Sequence, residues 1–435
     1  MREQLPRSIH ADWKPPAGRG DPVEILEKSN QGRLTELVPI RVGRMLWSPF
    51  TFYRGSAALM AYDLASLPKT GLEVQACGDC HVLNFGMFAT PERKLVFDLN
   101  DFDETLPAPW EWDVKRLAAS VVVAGRDGGL SDDESREAAT NAVRSYRERL
   151  REFSQTSPLE VWYSCLDEQT IIDMAPDAKA KALRQRLTAK ARARIVEHLF
   201  PKIVAAVGGS HRLIDQPPVL VHVAEVDAEE RFREGLDAYR QSLSEERRLL
   251  FDRYTLQDFA LKVVGIGSVG TRCYIGLFFS EDNHPLILQI KEAGRSVLEP
   301  YAGKSRYENQ GERVVMGQRL MQSSSDIFLG WTRSRRGIDF YVRQLRDMKF
   351  SIPMEGFSGR QLQRYSEFCG WSLARAHAKS GDAATISGYL GKGDQFDQAL
   401  GDFAVAYADQ TKQDHAALVE AERSGRIEAL IEDDM

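Results

Sequence analysis

Long apolar runs, an excess of basic charge and a paired set of cysteines are all missing from this 435-residue chain. The longest notable apolar stretch, Leu117 to Ala124, is broken by Ser120 and falls well short of the ~18 residues a membrane span requires, so it reads as part of a core helix. Lys plus Arg total 57 against 63 Asp plus Glu, a net charge of −6, which gives no global reward for counterion release on a nucleic-acid backbone. Nucleic acid is therefore not an expected partner, and neither is a membrane. The five cysteines are odd in number and sparse, which suits reduced thiols better than a disulfide framework. The first residues, MREQLPRSIHADWKPP, carry charges and prolines where a secretory signal would be apolar, so a cytoplasmic location is expected.

What is present is ordinary globular material, 43% hydrophobic and 28% charged, enough for a sizeable core and roughly three domain-equivalents by length. A Pro/Gly-rich arm opens the chain. Arg41, Arg44 and Arg54 then alternate with Trp47, Phe50, Phe52 and Tyr53, a composition that fits a buried aromatic anchor or an anion-binding edge. Two short apolar runs, near Asn84 to Phe88 and Lys94 to Leu99, flank the turn-like ATPE and predict a hairpin between two acidic loops. From Trp110 to about Phe251 the pattern is mainly helical. Branched and aromatic residues then predict strands on both sides of SEDNH and again around RSRRGIDFYVRQL, with a helix at ENQGERVVMGQRLMQ between them. From Gly359 onward the chain reads as helix.

Two stretches suggest chemistry. Gly265, Gly267, Ser268 and Gly270 form a G-x-G-x-x-G that lies between two predicted strands, whereas a dinucleotide fold would place a helix after it. In a hairpin, such a loop lets backbone N–H groups approach nucleotide phosphates, and Lys291, at the end of the apolar strand that follows, is placed to reach those phosphates. An ordinary glycine hairpin and a surface lysine would read the same way. The second stretch is GDCHVLN, with Asp79 and Asn84 five residues apart, followed by Asp101-Phe102-Asp103 seventeen residues after Asn84. Phosphoryl transfer needs a carboxylate to orient the acceptor hydroxyl, here Asp79, and oxygen ligands for Mg²⁺, here Asn84 with Asp101 and Asp103. Asp and Asn also cap turns, so each residue has a structural alternative. Cys77 to His81 matches the C-x-x-C-H of haem attachment and its first four residues a redox C-x-x-C, but no export signal is seen.

GDCHVLN followed by NDFD resembles the catalytic and metal loops of kinase-like phosphotransferases, especially the aminoglycoside and choline kinases, with Cys77 where that family usually has histidine. More closely, SPFTFYRG, GDCHVLNFG, FDLNDFDETLPAPWEWDVKRLA, VVGIGSVGTR, LQIKEA, GQRLMQ, YVRQLRDMK and LARAHA together resemble the bacterial DUF2252 family over almost the whole chain. The resemblance implies an α+β, two-lobed protein-kinase-like fold with a small antiparallel β lobe and a large helical lobe. Because the glycine loop follows the acidic loops by about 160 residues, the order implied is circularly permuted, with YVRQLRD as the hinge and the segment around His377 as the helix that normally precedes the catalytic loop. The expected organisation is residues 1–254 as arm and helical lobe, 255–350 as nucleotide-binding lobe, and 351–435 completing the helical lobe. The resemblance further implies Glu312 as the ion-pair partner of Lys291, with Glu299 and Glu308 as competitors, and Asp113 as the aspartate at the start of the following helix, where a carboxylate also caps free N–H groups and serves as structural support. The function expected is ATP- and Mg²⁺-dependent transfer of a phosphoryl group to a hydroxyl of an unidentified acceptor, a small molecule in the first instance. A non-catalytic ATP sensor and an AMP-transferring enzyme are the alternatives.

Overall fold

The structure, a computed structural model, describes residues 5–175, 177–193, 196–223, 227–263, 265–345 and 348–432, with side chains at 196–199 and 207 left aside. Val264, Arg346 and Asp347, which fall in motifs quoted above, lie outside the described residues. The chain is α+β, and every strand pair described is antiparallel.

Helix Trp110–Asp127 is the axis of the helical part. It is buried on nearly every face from Trp110 to Val123, and the charged Glu111, Asp113, Lys115 and Arg116 are buried along with its apolar residues. Helices Asp132–Phe153, Gly359–Ser380 and Gln395–Arg423 pack around it. Sequence starts two of these sharply: Ser131 with Glu134, and Ser358 with Gln361, form reciprocal caps that satisfy otherwise orphaned first-turn N–H groups. Gly370 lets two of them cross closely, because a Cβ there would lie 2.1 Å from the Ala142 carbonyl oxygen.

The β-rich part is a six-stranded sheet in the order Gly330–Arg333, Asp339–Gln344, Pro285–Glu292, Cys273–Ser280, Tyr254–Lys262, Leu220–Val221. Lys291 thus lies on an interior strand, opposite Cys273 on one side and Tyr341 on the other. The sheet's packing reaches further back than residue 255. Leu220–Val221 supplies its edge strand, and Ile203, Val204, Leu213, Tyr239, Leu243 and Phe251 are buried against it, so part of the stretch read as a helical block belongs to the sheet. That stretch also holds the hairpin Val204–Val207 with Ser210–Leu213, whose short runs carry too little alternation to stand out among helical neighbours.

The expected hairpin forms as Phe85–Ala89 with Leu95–Leu99, joined by Leu166–Asp167 as a third strand. After Gln344 the chain crosses from the large sheet to this hairpin, where Met87 and Phe350 exchange backbone hydrogen bonds of 2.9 and 2.8 Å. Among the described residues, no helix is long and apolar enough to cross a membrane.

Candidate functional site

The loop 77–84 is held from behind. The Asp113 carboxylate, one turn into the central helix, accepts from the backbone N–H of Cys77 at 2.6 Å and of Gly78 at 2.9 Å. His377 Nε2 lies 3.3 Å from the same carboxylate, and Tyr146 closes the chain at 2.9 Å from His377 Nδ1. Asp113 and His377 therefore support the loop from the interior and do not face the cleft. Gly78 has φ +82°, and a Cβ there would meet the Glu104 carbonyl oxygen at 2.4 Å, so this turn requires glycine twice over.

With its backbone fixed, the loop presents Asp79 to the cleft. Arg116 Nε donates to Asp79 Oδ1 at 2.7 Å, and the guanidinium stacks 4.5 Å from the centre of the Tyr53 ring. Asn84 Nδ2 donates to the Asp79 carbonyl at 2.6 Å, which fixes the amide. The Asn100 N–H donates to the Asn84 carbonyl at 2.8 Å and so ties the loop to the segment that carries Asp101. His81 is buried, and that burial drives its imidazole down to about 3, so it is neutral near pH 7.

Asp103 is the junction between the acidic loop and the sheet. Its Oδ1 accepts from the Tyr341 hydroxyl at 2.8 Å, while Oδ2 meets the Lys291 ammonium and lies 3.3 Å from Ser268 Oγ. Lys291 Nζ is also 3.8 Å from Asp101. Burial works against the charge on Asp101, but Lys291, with Arg343 and Lys349 behind it, holds the carboxyl below the usual carboxylate range. Burial itself lowers Lys349, to about 7, and its Nζ donates to the Asn100 carbonyl at 3.0 Å.

The glycine loop makes a single helical turn, Ile266–Ser268, between its two strands. Gly265 has open space where a Cβ would stand, and at Gly267 the nearest atom to one would be the Arg54 carbonyl at 3.6 Å. Gly270 plays a different part: with φ +88° it accepts from the Leu34 N–H at 2.7 Å and makes room for the Arg33 side chain. Arg33 then donates to the carbonyls of Val269 at 2.6 Å and Gly267 at 2.9 Å, which clamps the loop from outside.

One cleft of about 790 Å³ collects most of the expected residues: Asp79, Asn84, Asp101, Asp103, Gly265, Gly267, Ser268 and Lys291 line it together. Gly270 and Glu312 are not among its lining residues. The anticipated Glu312 pair is replaced: among the described residues, Lys291 makes its ion pairs with Asp103 and Asp101. The physical reason is the neighbouring residue. Arg313, not Glu312, turns inward, and its guanidinium binds the carbonyls of Asp103, Thr105 and Gly294 at 2.6 to 2.8 Å. Of the early arginines, Arg41 and Arg54 line the cleft, while Arg44 pairs with Glu432 near the C-terminus at 2.6 Å.

Sequence reasoning missed Arg33, Arg116, Arg313, Tyr341 and Arg343. Arg116 had a signal, since it follows Asp113 by three residues and shares its helix face. Tyr341 pairs across strands with Lys291, a register no single-strand pattern displays.

No group of three or more His, Cys, Asp or Glu that could hold a metal occurs among the described residues. Cys77 and Cys80 belong to no such group; the Cys77 thiol is lowered by its hydrogen bond with Cys80 but raised on balance by burial and nearby carboxylates, and burial raises Cys80 further, against redox reactivity. That absence does not exclude Mg²⁺, which commonly takes one or two carboxylates and completes its shell with water and substrate phosphates. Asp101, with the Asn84 amide oxygen, fits that smaller donor set, and Asp103 stands beside them with Lys291 and Tyr341 on its carboxylate.

No curated protein and no solved structure matches the chain. The model of a family described as an uncharacterized protein conserved in bacteria matches residues 33–421, from the arginine that clamps the glycine loop almost to the end of the last helix. The chain belongs to this family, DUF2252.

Proposed function

We propose that this protein is an ATP- and Mg²⁺-dependent phosphotransferase with a circularly permuted, two-lobed kinase-like fold. The observation that carries the reading is that the acidic loops and the glycine loop with its lysine strand, far apart in sequence, line one cleft, with the Lys291 ammonium against Asp103 and 3.8 Å from Asp101. Support for the permutation comes from helix Gly359–Ser380. Its end lies beside the strand Glu73–Ala76 that leads into the Asp79 loop, with Gln75 N–H donating to Ser380 Oγ at 3.2 Å. In unpermuted order that helix would run straight into this loop.

The roles follow from the positions. Gly265, Gly267 and Ser268 cover the phosphates, with main chain free of obstructing side chains. Lys291 holds them, exchanging its pair with Asp103 for a phosphate oxygen. Asn84 and Asp101 would hold Mg²⁺, which supplies neutralisation of charge on the transferring group. Asp79, steadied by Arg116, orients the acceptor hydroxyl; a loose transition state asks for orientation more than for a strong base.

The deciding experiment is a thermal melt with and without saturating ATP and Mg²⁺, followed by incubation with γ- or α-labelled ATP. The expected result, with a panel of hydroxyl compounds added as acceptors, is a raised Tm and transfer of the γ label from ATP to one of them or to water. Transfer of the α label identifies AMP transfer, binding without transfer identifies a sensor, and an unchanged Tm removes the nucleotide reading.

A further inference from the structure

The cleft has a second wall whose charge the nucleotide reading leaves unused. Arg33, Arg41 and Arg54 all line it, on the side formed by the N-terminal segment and its helices Val38–Leu46 and Pro49–Gly55. Among the described residues, their hydrogen-bond partners are neutral or missing. Arg41 is 2% exposed and donates to Asn30 Oδ1 at 2.7 Å and the Gly55 carbonyl at 2.6 Å, while its Nε is buried without a partner. Arg54 Nε is also buried and, among the described residues, unpartnered, and Arg33 spends its donors on the carbonyls of Ser29, Gly267 and Val269. His81, in the same cleft, has a buried Nδ1 without a partner.

Buried charge without an opposite charge is costly, and like charges side by side add to the cost. Burial lowers Arg41 well below the usual arginine range, and the nearby Arg33 adds to the effect. The acids that face this wall do not relieve it fully. Asp103, Glu104 and Glu292 attract Arg33, and Asp79 attracts Arg54 from beyond ion-pair distance, but the Asp79 carboxylate is already held by Arg116. A wall of this kind is complementary to an anion with several acceptor oxygens, which guanidinium groups bind in a fixed fork geometry.

We propose that Arg41 and Arg54, with Arg33 and His81 beside them, form a seat for a phosphate-type oxyanion next to Asp79. The inference rests on the phosphotransferase reading and narrows it: the seat takes either an anionic group carried by the acceptor or the terminal phosphoryl group of the nucleotide. The two sources share one chemistry and are separable by what else is bound.

The experiment titrates inorganic phosphate calorimetrically into the full chain saturated with Mg·ADP and, separately, with Mg·AMPPNP. Binding to both complexes supports the seat and assigns it to the acceptor; binding to the ADP complex alone supports it and assigns it to the terminal phosphoryl group. Arg54→Gln is expected to weaken phosphate at least tenfold while ADP affinity stays within twofold, and Arg54→Lys to recover part of the loss. Should Arg54→Gln not fold, Arg54→Lys and Arg41→Gln carry the comparison. No phosphate binding by the wild type, or equal binding by wild type and folded variants, overturns the proposal. If ADP itself does not bind, the nucleotide reading fails, and phosphate titrated into the free protein still decides the seat by the same variants.

Discussion

The two walls of the cleft treat charge in opposite ways. On the acid side Asp79 has Arg116 and Asp103 has Lys291 and Tyr341, and behind that wall Asp113 has two backbone N–H groups and His377. On the arginine side, Arg41 and Arg33 make their hydrogen bonds to amide and carbonyl oxygens, and Arg54 Nε has no partner among the described residues. A wall that is already satisfied is built to hold its shape. A wall left in electrostatic debt is built to receive something. Truncation should therefore destabilise the first and spare the second.

The largest effect expected is structural. Asp113→Ala orphans the N–H groups of Cys77 and Gly78 and leaves His377 Nε2 without its acceptor, in surroundings that exclude water. At roughly 1–3 kcal/mol per buried unsatisfied group, the loss of unfolding free energy is about 4 kcal/mol. Chemical denaturation measures it; a change under about 1 kcal/mol means that the loop is held by other contacts.

Next in size is the chemical test of the same wall. Asp79→Ala and Asp101→Ala should each slow ATP turnover, followed as ADP release, by at least about a hundredfold, or about 2.7 kcal/mol in barrier. Asp79→Ala also strands Arg116 and should lower stability, so circular dichroism checks that each variant is folded before turnover is compared. Turnover like the wild type's in either variant removes the roles assigned above.

The contrast between the walls also marks how far sequence could be read. The hairpin Phe85–Ala89 with Leu95–Leu99, the interior strand ending near Lys291 and the helix Gln310–Met321 were visible because each repeats a local period or is bounded by turn residues. The acids that line the cleft were visible because they sit close together on two short loops. What escaped notice depends on long-range geometry. Arg33 reaches Gly267 across more than two hundred residues, Arg313 displaces Glu312 by facing inward one position later, and Leu220–Val221 joins the sheet with only two residues. Spacing along a chain carries no record of which distant carbonyl a guanidinium will meet. The C-x-x-C-H match is the converse, a local spacing whose two cysteines are buried.

His81 tests the boundary between the walls. Its imidazole falls from an ordinary 6.5 to about 3 in the folded protein, chiefly through burial, with Arg54 and Arg116 adding to the effect and Asp79 opposing it. The folded state then binds fewer protons than the unfolded state between these values, so stability is lost as pH falls from about 6.5 toward 3. Linkage gives about 2 kcal/mol of loss between pH 7 and pH 5. Denaturation of His81→Gln at both pH values isolates this contribution, because Glu104, raised to about 7 by burial, and His10, lowered to about 3 by burial, are present in both proteins. An equal slope in variant and wild type means that the imidazole is not shielded from protons.

The smallest effect has the most diagnostic sign. On the acid wall, removing a charged side chain strands its partner. Arg54 has no carboxylate within ion-pair distance among the described residues, and its Nε is buried without a partner, so Arg54→Gln removes a desolvated charge and strands nothing. Unfolding free energy in buffer free of phosphate and nucleotide should stay level or rise, by up to about 1 kcal/mol. Added phosphate should stabilise the wild type and leave the variant unmoved, since a ligand stabilises only the state that binds it. A loss above about 1 kcal/mol without any anion present would mean that Arg54 already has its counterpart inside the protein. The two walls would then be alike.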